Sequence, residues 1–240
     1  MTDLSIEPLA EDALLLRFGD GIDTATNARV HETARVLRAA DIPALVDIAP
    51  AYATLLLRFD RSAWGNGNDS LLEIITKTLV PGLRRGDEQK ATASENCSVR
   101  HVEIPVCYGG EHGPDIVVVA AHANLTTEQV VARHTAAGYS VAMLGFAPGF
   151  PYLLGLDAAL QLPRRGDPRT RVPAGSVAIG GAQTGIYPRE LPGGWHLIGR
   201  TPSLLFDPAR DPPCLLAPGD RVRFRAIDSD EFARLAEPRG

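Results

Sequence analysis

Apolar and polar positions alternate along the chain in segments that predict a succession of short elements. Between Asp12 and Phe18, residues Leu14, Leu16 and Phe18 fall on one face, the period of two of a half-buried strand. Asp23 or Thr24 then caps a helix in which Val30, Ala34 and Leu37 recur at helical spacing. A turn at Asp41-Ile42-Pro43 leads to the apolar run Ala44–Ile48. Pro50 interrupts, and Thr54–Phe59 points Leu55, Leu57 and Phe59 one way. After the turn-rich Asp60–Asn68, Ser70 and Glu73 form a capping box ahead of Leu71, Ile75 and Leu79, with Pro81-Gly82 as the stop. Strand, helix, two strands and helix predict a small α+β sandwich over residues 1–84, compatible with a split βαβ unit. The polar stretch Arg84–Asn96 has no apolar period and reads as a linker, assigned to 85–96.

A second unit is predicted over residues 97–240. Arg100–Tyr108 alternates Val102, Ile104 and Val106 as a strand, and Pro114–Ala123 reads as a short helix with its apolar residues buried. Thr126 and Gln129 form a second capping box for a helix that stops at Gly138 with His134 on its last turn. Tyr139–Leu144 is strand-like, and Arg221–Ile227, alternating Val222, Phe224 and Ala226, closes the unit before a last helical turn or two at Ser229–Ala236. Between them lies the stretch that dominates the chain. Gly and Pro make up 19 of the 58 residues from Gly145 to Pro202, against 23 of the 182 elsewhere. That density excludes long helices. Short strand-like runs (Val177-Ala178-Ile179, Trp195–Ile198, Ser203–Phe206) sit among the turns, together with Phe146, Phe150, Tyr152, Tyr187 and Trp195 and the cluster Arg164, Arg165, Arg169 and Arg171. A small closed β-barrel with a groove on one side accounts for the pattern; tight barrel corners are the plainer reason for most of the glycines.

Composition narrows the function. A formal charge of −5 argues against nucleic acid or an anionic membrane as a bulk partner. Met1–Glu11 carries acids rather than a basic, apolar leader, and no apolar run is long enough to span a bilayer. Cys97, Cys107 and Cys214 lack metal-ligand spacing, so a reducing cytoplasm, no disulfide framework and no metal site are expected. Lys77 and Lys90 are the only lysines, which excludes a Gly-Lys-Ser/Thr phosphate loop or a Schiff-base lysine after residue 90. An anion bound there falls to arginine, backbone N–H groups or another chain.

Several segments together carry a specific resemblance: IPVCYGG (Ile104–Gly110), GFAPGFPYLLGLD from Gly145, PRRGDPRTRVPAGSVAIGGAQTGIYP from Pro163, PGGWHLIGRTP from Pro192, and PGDRVRF from Pro218. The chain resembles the family of 5-oxoprolinase B subunits, also known as allophanate hydrolase subunit 1, the Kip-inhibitor family, or carboxyltransferase subdomains C and D. The resemblance implies an α+β N-terminal domain followed by a mainly-β, cyclophilin-like barrel domain. It implies a cytoplasmic, ATP-hydrolysing enzyme that opens 5-oxo-L-proline to L-glutamate as part of a heteromeric complex. The partners would be a homologous second subunit (the 5-oxoprolinase C subunit, or allophanate hydrolase subunit 2) and the A subunit, with ATP bound by this chain or by the complex. A urea carboxylase-type carboxyltransferase and a histidine-kinase inhibitor are the alternatives.

Set against that chemistry, arginines suit a substrate carboxylate or a phosphoryl group, since the guanidinium fork binds either bidentately. Arg164, Arg165, Arg169 and Arg171 are the candidates, Arg165 and Arg169 foremost and Arg171 structural or facing a partner as its alternative. A solvated loop or ion pairs to Asp157 and Asp167 are the structural alternative; loss of Arg165 or Arg169 is expected to spare the fold and impair turnover. Ser176, Gln183 and Thr184 offer polar groups on glycine-rich turns, where exposed N–H groups could cradle an anion. Phe150, Tyr152, Tyr187 and Trp195 are the candidate pocket walls, and His134 and His196 the candidate general bases. A structural role competes for each. No nucleophile elbow surrounds Ser176, so no covalent nucleophile is expected.

Overall fold

The computed structural model describes residues 4–42, 44–64, 75, 77 and 99–237. The chain divides into two compact units, residues 1–98 and 99–240.

In the first unit, strands β1 (Ser5–Ala10), β2 (Ala13–Arg17), β3 (Leu45–Pro50) and β4 (Thr54–Phe59) form an antiparallel sheet in the order β1-β2-β4-β3. Helix α1 (Thr24–Ala39) connects β2 to β3 with β4 between them, the split βαβ arrangement. Asp23 is its N-cap and accepts from the Thr26 N–H at 2.8 Å. Leu14, Leu16, Phe18, Val30, Ala34, Leu37, Leu55, Leu57 and Phe59 meet in one core, as their spacing predicts. Two expectations change. Strand β1 has no alternating signature because it is an exposed edge carrying Pro8, and Pro50 ends edge strand β3 rather than interrupting the chain before β4. A helical turn α2 follows at Arg61–Trp64. The helix expected after Ser70 lies outside the described residues apart from Ile75 and Lys77, both helical, with Ile75 in the same core. The linker 85–96 lies outside them entirely.

The second unit is a closed seven-stranded barrel in the order β10-β7-β6-β13-β5-β12-β9. Its strands are β5 (His101–Tyr108), β6 (Tyr139–Leu144), β7 (Pro151–Leu154), β9 (Ser176–Gly180), β10 (Gln183–Ile186), β12 (His196–Arg200) and β13 (Arg221–Ile227). The closing strand β13 pairs in parallel with β5 over seven residues, from Arg221 opposite His101 to Ile227 opposite Cys107. Its alternation breaks at the end: Ala226 is exposed and Ile227 buried. Helices α3 (Ile116–Ala123) and α4 (Thr127–Ala136) precede β6, α4 carrying both hydrogen bonds of the Thr126–Gln129 capping box. Helix α3 buries Ile116, Val119 and Ala120 but exposes Val117 and Val118, contrary to the expectation that its apolar residues are all covered. Helix α5 (Ser229–Ala236) ends the unit.

Strands β9, β10 and β12 are buried on both faces, which explains why β9 and β12 read as apolar runs without alternation. Val177, Ile179, Ile186 and Ile198 fill the barrel interior. Ala178 and Leu197 face outward into a second cluster with Ala147, Phe150, Val172, Tyr187 and Trp195. That outer layer comes from the Gly145–Phe150 turn and a ribbon of β8 (Arg169–Val172) with β11 (Leu191–Gly193).

His134 lies in the interior, fully buried, its ring stacked on Phe224 at 4.5 Å between centroids. The Thr184 hydroxyl donates to the Ala178 carbonyl at 2.9 Å, so it accepts from Nε2–H of His134 at 3.1 Å. Nδ1 therefore accepts from the Tyr108 hydroxyl at 2.8 Å. Burial drives the imidazole pKa down from 6.5 to about 3. An unfolded chain protonates this ring below pH 6.5 and the folded one does not, so stability rises with pH across that window. Between pH 7.5 and 5 the unfolding free energy is expected to fall by about 2 kcal/mol from this group. Denaturant titrations at both pH values, with the His134 ring resonances followed by NMR, check this; a ring that titrates above pH 5 overturns it.

Candidate functional site

The outer layer creates a cleft. Phe146, Phe150, Tyr152, Arg164, Tyr187, Pro192, Gly193, Gly194 and Trp195 line it, enclosing ≈ 130 Å³. The rings pack edge to face: Phe150 lies 5.2 Å from Tyr187, 5.9 Å from Trp195 and 4.9 Å from Tyr152, and Phe146 stands 5.4 Å from Phe150. Two glycines make room for them. A Cβ at Gly180 would lie 2.6 Å from the Trp195 indole, and one at Gly193 would lie 2.1 Å from the Tyr187 hydroxyl. These positions are glycine because an aromatic ring occupies the side-chain volume.

All four expected wall residues (Phe150, Tyr152, Tyr187, Trp195) thus meet at one cleft, and Phe146 joins them. Phe146 is exposed and has a φ of 66°, a conformation costly for a bulky side chain. Burial pushes the Tyr187 hydroxyl pKa up to about 12, the neighbouring Tyr152 adding to this and Arg164 and Arg169 opposing it. Burial likewise raises Tyr152, against the pull of Arg164. Both phenols are neutral donors at physiological pH.

The arginines divide. Arg169 grips Asp115 with two hydrogen bonds of 2.8 Å, and Arg165 reaches the same carboxylate at 3.2 Å. Asp115 also accepts from the Leu197 N–H at 2.8 Å. Burial pushes this carboxyl up, but the bonds from Arg169 and Leu197 and the charges of Arg169 and Arg165 outweigh it and hold the group below the usual carboxylate range. The pairing expected with Asp157 or Asp167 is replaced: Asp157 binds Arg133 at 3.0 Å. Arg164, by contrast, has no carboxylate partner among the described residues; its guanidinium carbon sits 5.7 Å from the Trp195 ring centroid.

The remaining candidates lie in the barrel wall. Thr184 belongs to the interior network with His134, both of whose ring nitrogens are occupied there. Gln183 is buried opposite Gly180, and Ser176 is buried in β9, where its carbonyl accepts from the Tyr187 N–H. The turn N–H groups of Gly175 and Gly181 donate to the carbonyls of Tyr187 and Leu162, so neither points at a guest. His196 donates from Nε2 to the Pro163 carbonyl at 3.0 Å, holding the residue next to Arg164; its buried Nδ1 has no hydrogen-bond partner among the described residues. It is not part of the cleft wall.

Asp115 escaped the sequence reading. Its position before an apolar helix looks like an N-cap, yet its side chain makes no cap bond, and its partners lie 50 and 54 residues away. Local pattern contains no trace of that connection.

The chain that forms this seven-stranded barrel belongs to the family of the carboxyltransferase domain, subdomain C and D, which matches residues 4–216. It is similar to the 5-oxoprolinase B subunit of Bacillus subtilis (strain 168), 41% identical over 234 residues, 97% of this chain and 96% of that protein. The 5-oxoprolinase B subunit of Escherichia coli O157:H7 is 45% identical over 218 residues, 90% of this chain and 93% of its own. The crystal structure of TTHA0988 superposes with a TM-score of 0.73 at 40% identity, over 91% of this chain and 40% of that longer one.

Because Asp115 is buried and both its cations are only partly exposed, removing Arg169 takes away two of its hydrogen bonds and leaves the carboxylate to Arg165 and the Leu197 N–H. Arg169→Ala is expected to destabilise the barrel unit by about 2–3 kcal/mol in urea unfolding. The added Asp115→Asn change should recover part of that loss. Wild-type stability for Arg169→Ala would show that the clamp contributes nothing. Gly180→Ala should disorder the Trp195 side, seen as loss of near-UV circular dichroism; an unchanged spectrum would mean that the ring has room.

Proposed function

We propose that this chain is a component of a 5-oxoprolinase, opening the lactam of 5-oxo-L-proline to L-glutamate with ATP hydrolysis in the cytoplasm. It acts with a homologous second subunit, of the 5-oxoprolinase C type, and with the A subunit. One observation carries the reading: similarity to two proteins named as the B subunit of 5-oxoprolinase that extends over nine-tenths or more of every chain involved.

The cleft supports it chemically. A lactam is a resonance-stabilised amide, and coupling its opening to ATP implies activation of the lactam oxygen. Such a site needs a cation for negative charge, donors for an oxygen and walls that exclude water. Arg164, the neutral hydroxyls of Tyr152 and Tyr187, and the rings of Phe150 and Trp195 answer those needs. No histidine, carboxylate or lysine lines this cleft among the described residues. Proton transfer then falls to a group outside this wall, in keeping with an enzyme assembled from several chains.

Co-purify the chain with both partner subunits and follow glutamate release from 5-oxoproline. ATP-dependent release that needs all three chains is expected. No release from the full set, or equal release without this chain, would reject the assignment.

A further inference from the structure

We infer that the cleft is the seat of the lactam substrate itself, a small planar cyclic amide with one carboxylate held by Arg164, and that the nucleotide binds elsewhere in the complex. This rests on the 5-oxoprolinase reading for the identity of the guest, though not for the chemistry of the site.

Charge selects the anchor. Of the three arginines on the 163–169 loop, Arg165 and Arg169 are consumed by Asp115, while Arg164 stands at the mouth without a carboxylate partner among the described residues. Arg164 lines the same cleft as Tyr152 and Tyr187, with its guanidinium carbon 5.7 Å from the Trp195 ring centroid. One carboxylate satisfies it; a triphosphate leaves most of its charge unmatched. Size selects the guest. The cleft encloses ≈ 130 Å³, and a cavity of roughly 150 Å³ holds a molecule of benzene's size. A five-membered ring matches that volume and would lie against the packed rings of Phe150, Tyr152 and Trp195, whose centroids are 4.9–5.9 Å apart, rather than between them, whereas an adenine nucleotide is several times larger than the space. Shape agrees: aromatic walls suit a flat ring, and the backbone of Gly193 and Gly194 lines the same cleft. His196 serves as a positioning residue, fixing the Pro163 carbonyl one residue before the anchor.

Titrate the full chain with 5-oxoproline, with uncharged 2-pyrrolidinone and with ATP, mapping amide and indole NMR shifts. 5-Oxoproline should move Phe146, Gly193, Gly194 and the Trp195 indole. 2-Pyrrolidinone should bind at least tenfold more weakly, and ATP should leave these signals in place. Arg164→Gln should weaken 5-oxoproline at least tenfold, and in the three-subunit complex should raise its KM by a similar factor with the KM for ATP unchanged. Shifts confined to other residues, ATP moving the cleft signals, or wild-type affinity in Arg164→Gln would each overturn the inference. A complex without lactamase activity, in which this chain still binds 5-oxoproline at these residues, would reject the functional assignment and leave the site standing.

Discussion

The carboxylate of Asp115 is the interaction on which the architecture of the site depends. It lies buried just before α3, takes the backbone N–H of Leu197 in β12, and holds Arg165 and Arg169, the latter opening β8, outside the barrel. A strand of the wall and the loop that shapes the cleft therefore share one anion. Burying a charge is costly unless it is paired, and here two guanidinium groups and a backbone donor compensate it. With two cations spent on it, the local balance leaves one guanidinium, Arg164, facing the aromatic cleft.

The barrel wall separates two kinds of polar chemistry. On its inner side His134, Tyr108 and Thr184 form a closed set in which every donor has an acceptor, and burial keeps the imidazole neutral. A network of this type rigidifies a core and offers nothing to a ligand. On its outer side Tyr152, Tyr187 and Arg164 line a cleft together with the rings of Phe146, Phe150 and Trp195. Residues one position apart along β10 belong to different worlds: Thr184 faces the interior, while Gly185 lies against Phe150 on the outside. Strand alternation, used where both faces are covered, is what permits this division.

Incompleteness is equally informative. Among the described residues the cleft wall carries one arginine, two phenols and apolar rings, and no histidine, carboxylate or lysine. Membership of the carboxyltransferase subdomain family, and similarity over nearly the whole chain to two proteins named as B subunits, fit a protein that works alongside other subunits.

Much of this was legible in the chain of letters. The periods of two and 3.6 placed the strands and helices of both units, because the residues that create an amphipathic face are near neighbours in sequence. The capping box at Thr126 and the wall aromatics were also readable, and the scarcity of lysine limited the cations to arginine. What needed the tertiary structure was the assignment of those groups to places. Three arginines within six residues look alike in the sequence; a carboxylate some fifty residues earlier distinguishes them. His134 reads as a helix-end histidine until barrel closure brings Tyr108 and Thr184 to its two nitrogens. Glycines that resemble turn formers prove, at Gly180 and Gly193, to be hollows for rings. Local chemistry is inherited from the residue, whereas charge compensation, burial and close approach belong to the pairings that folding alone creates.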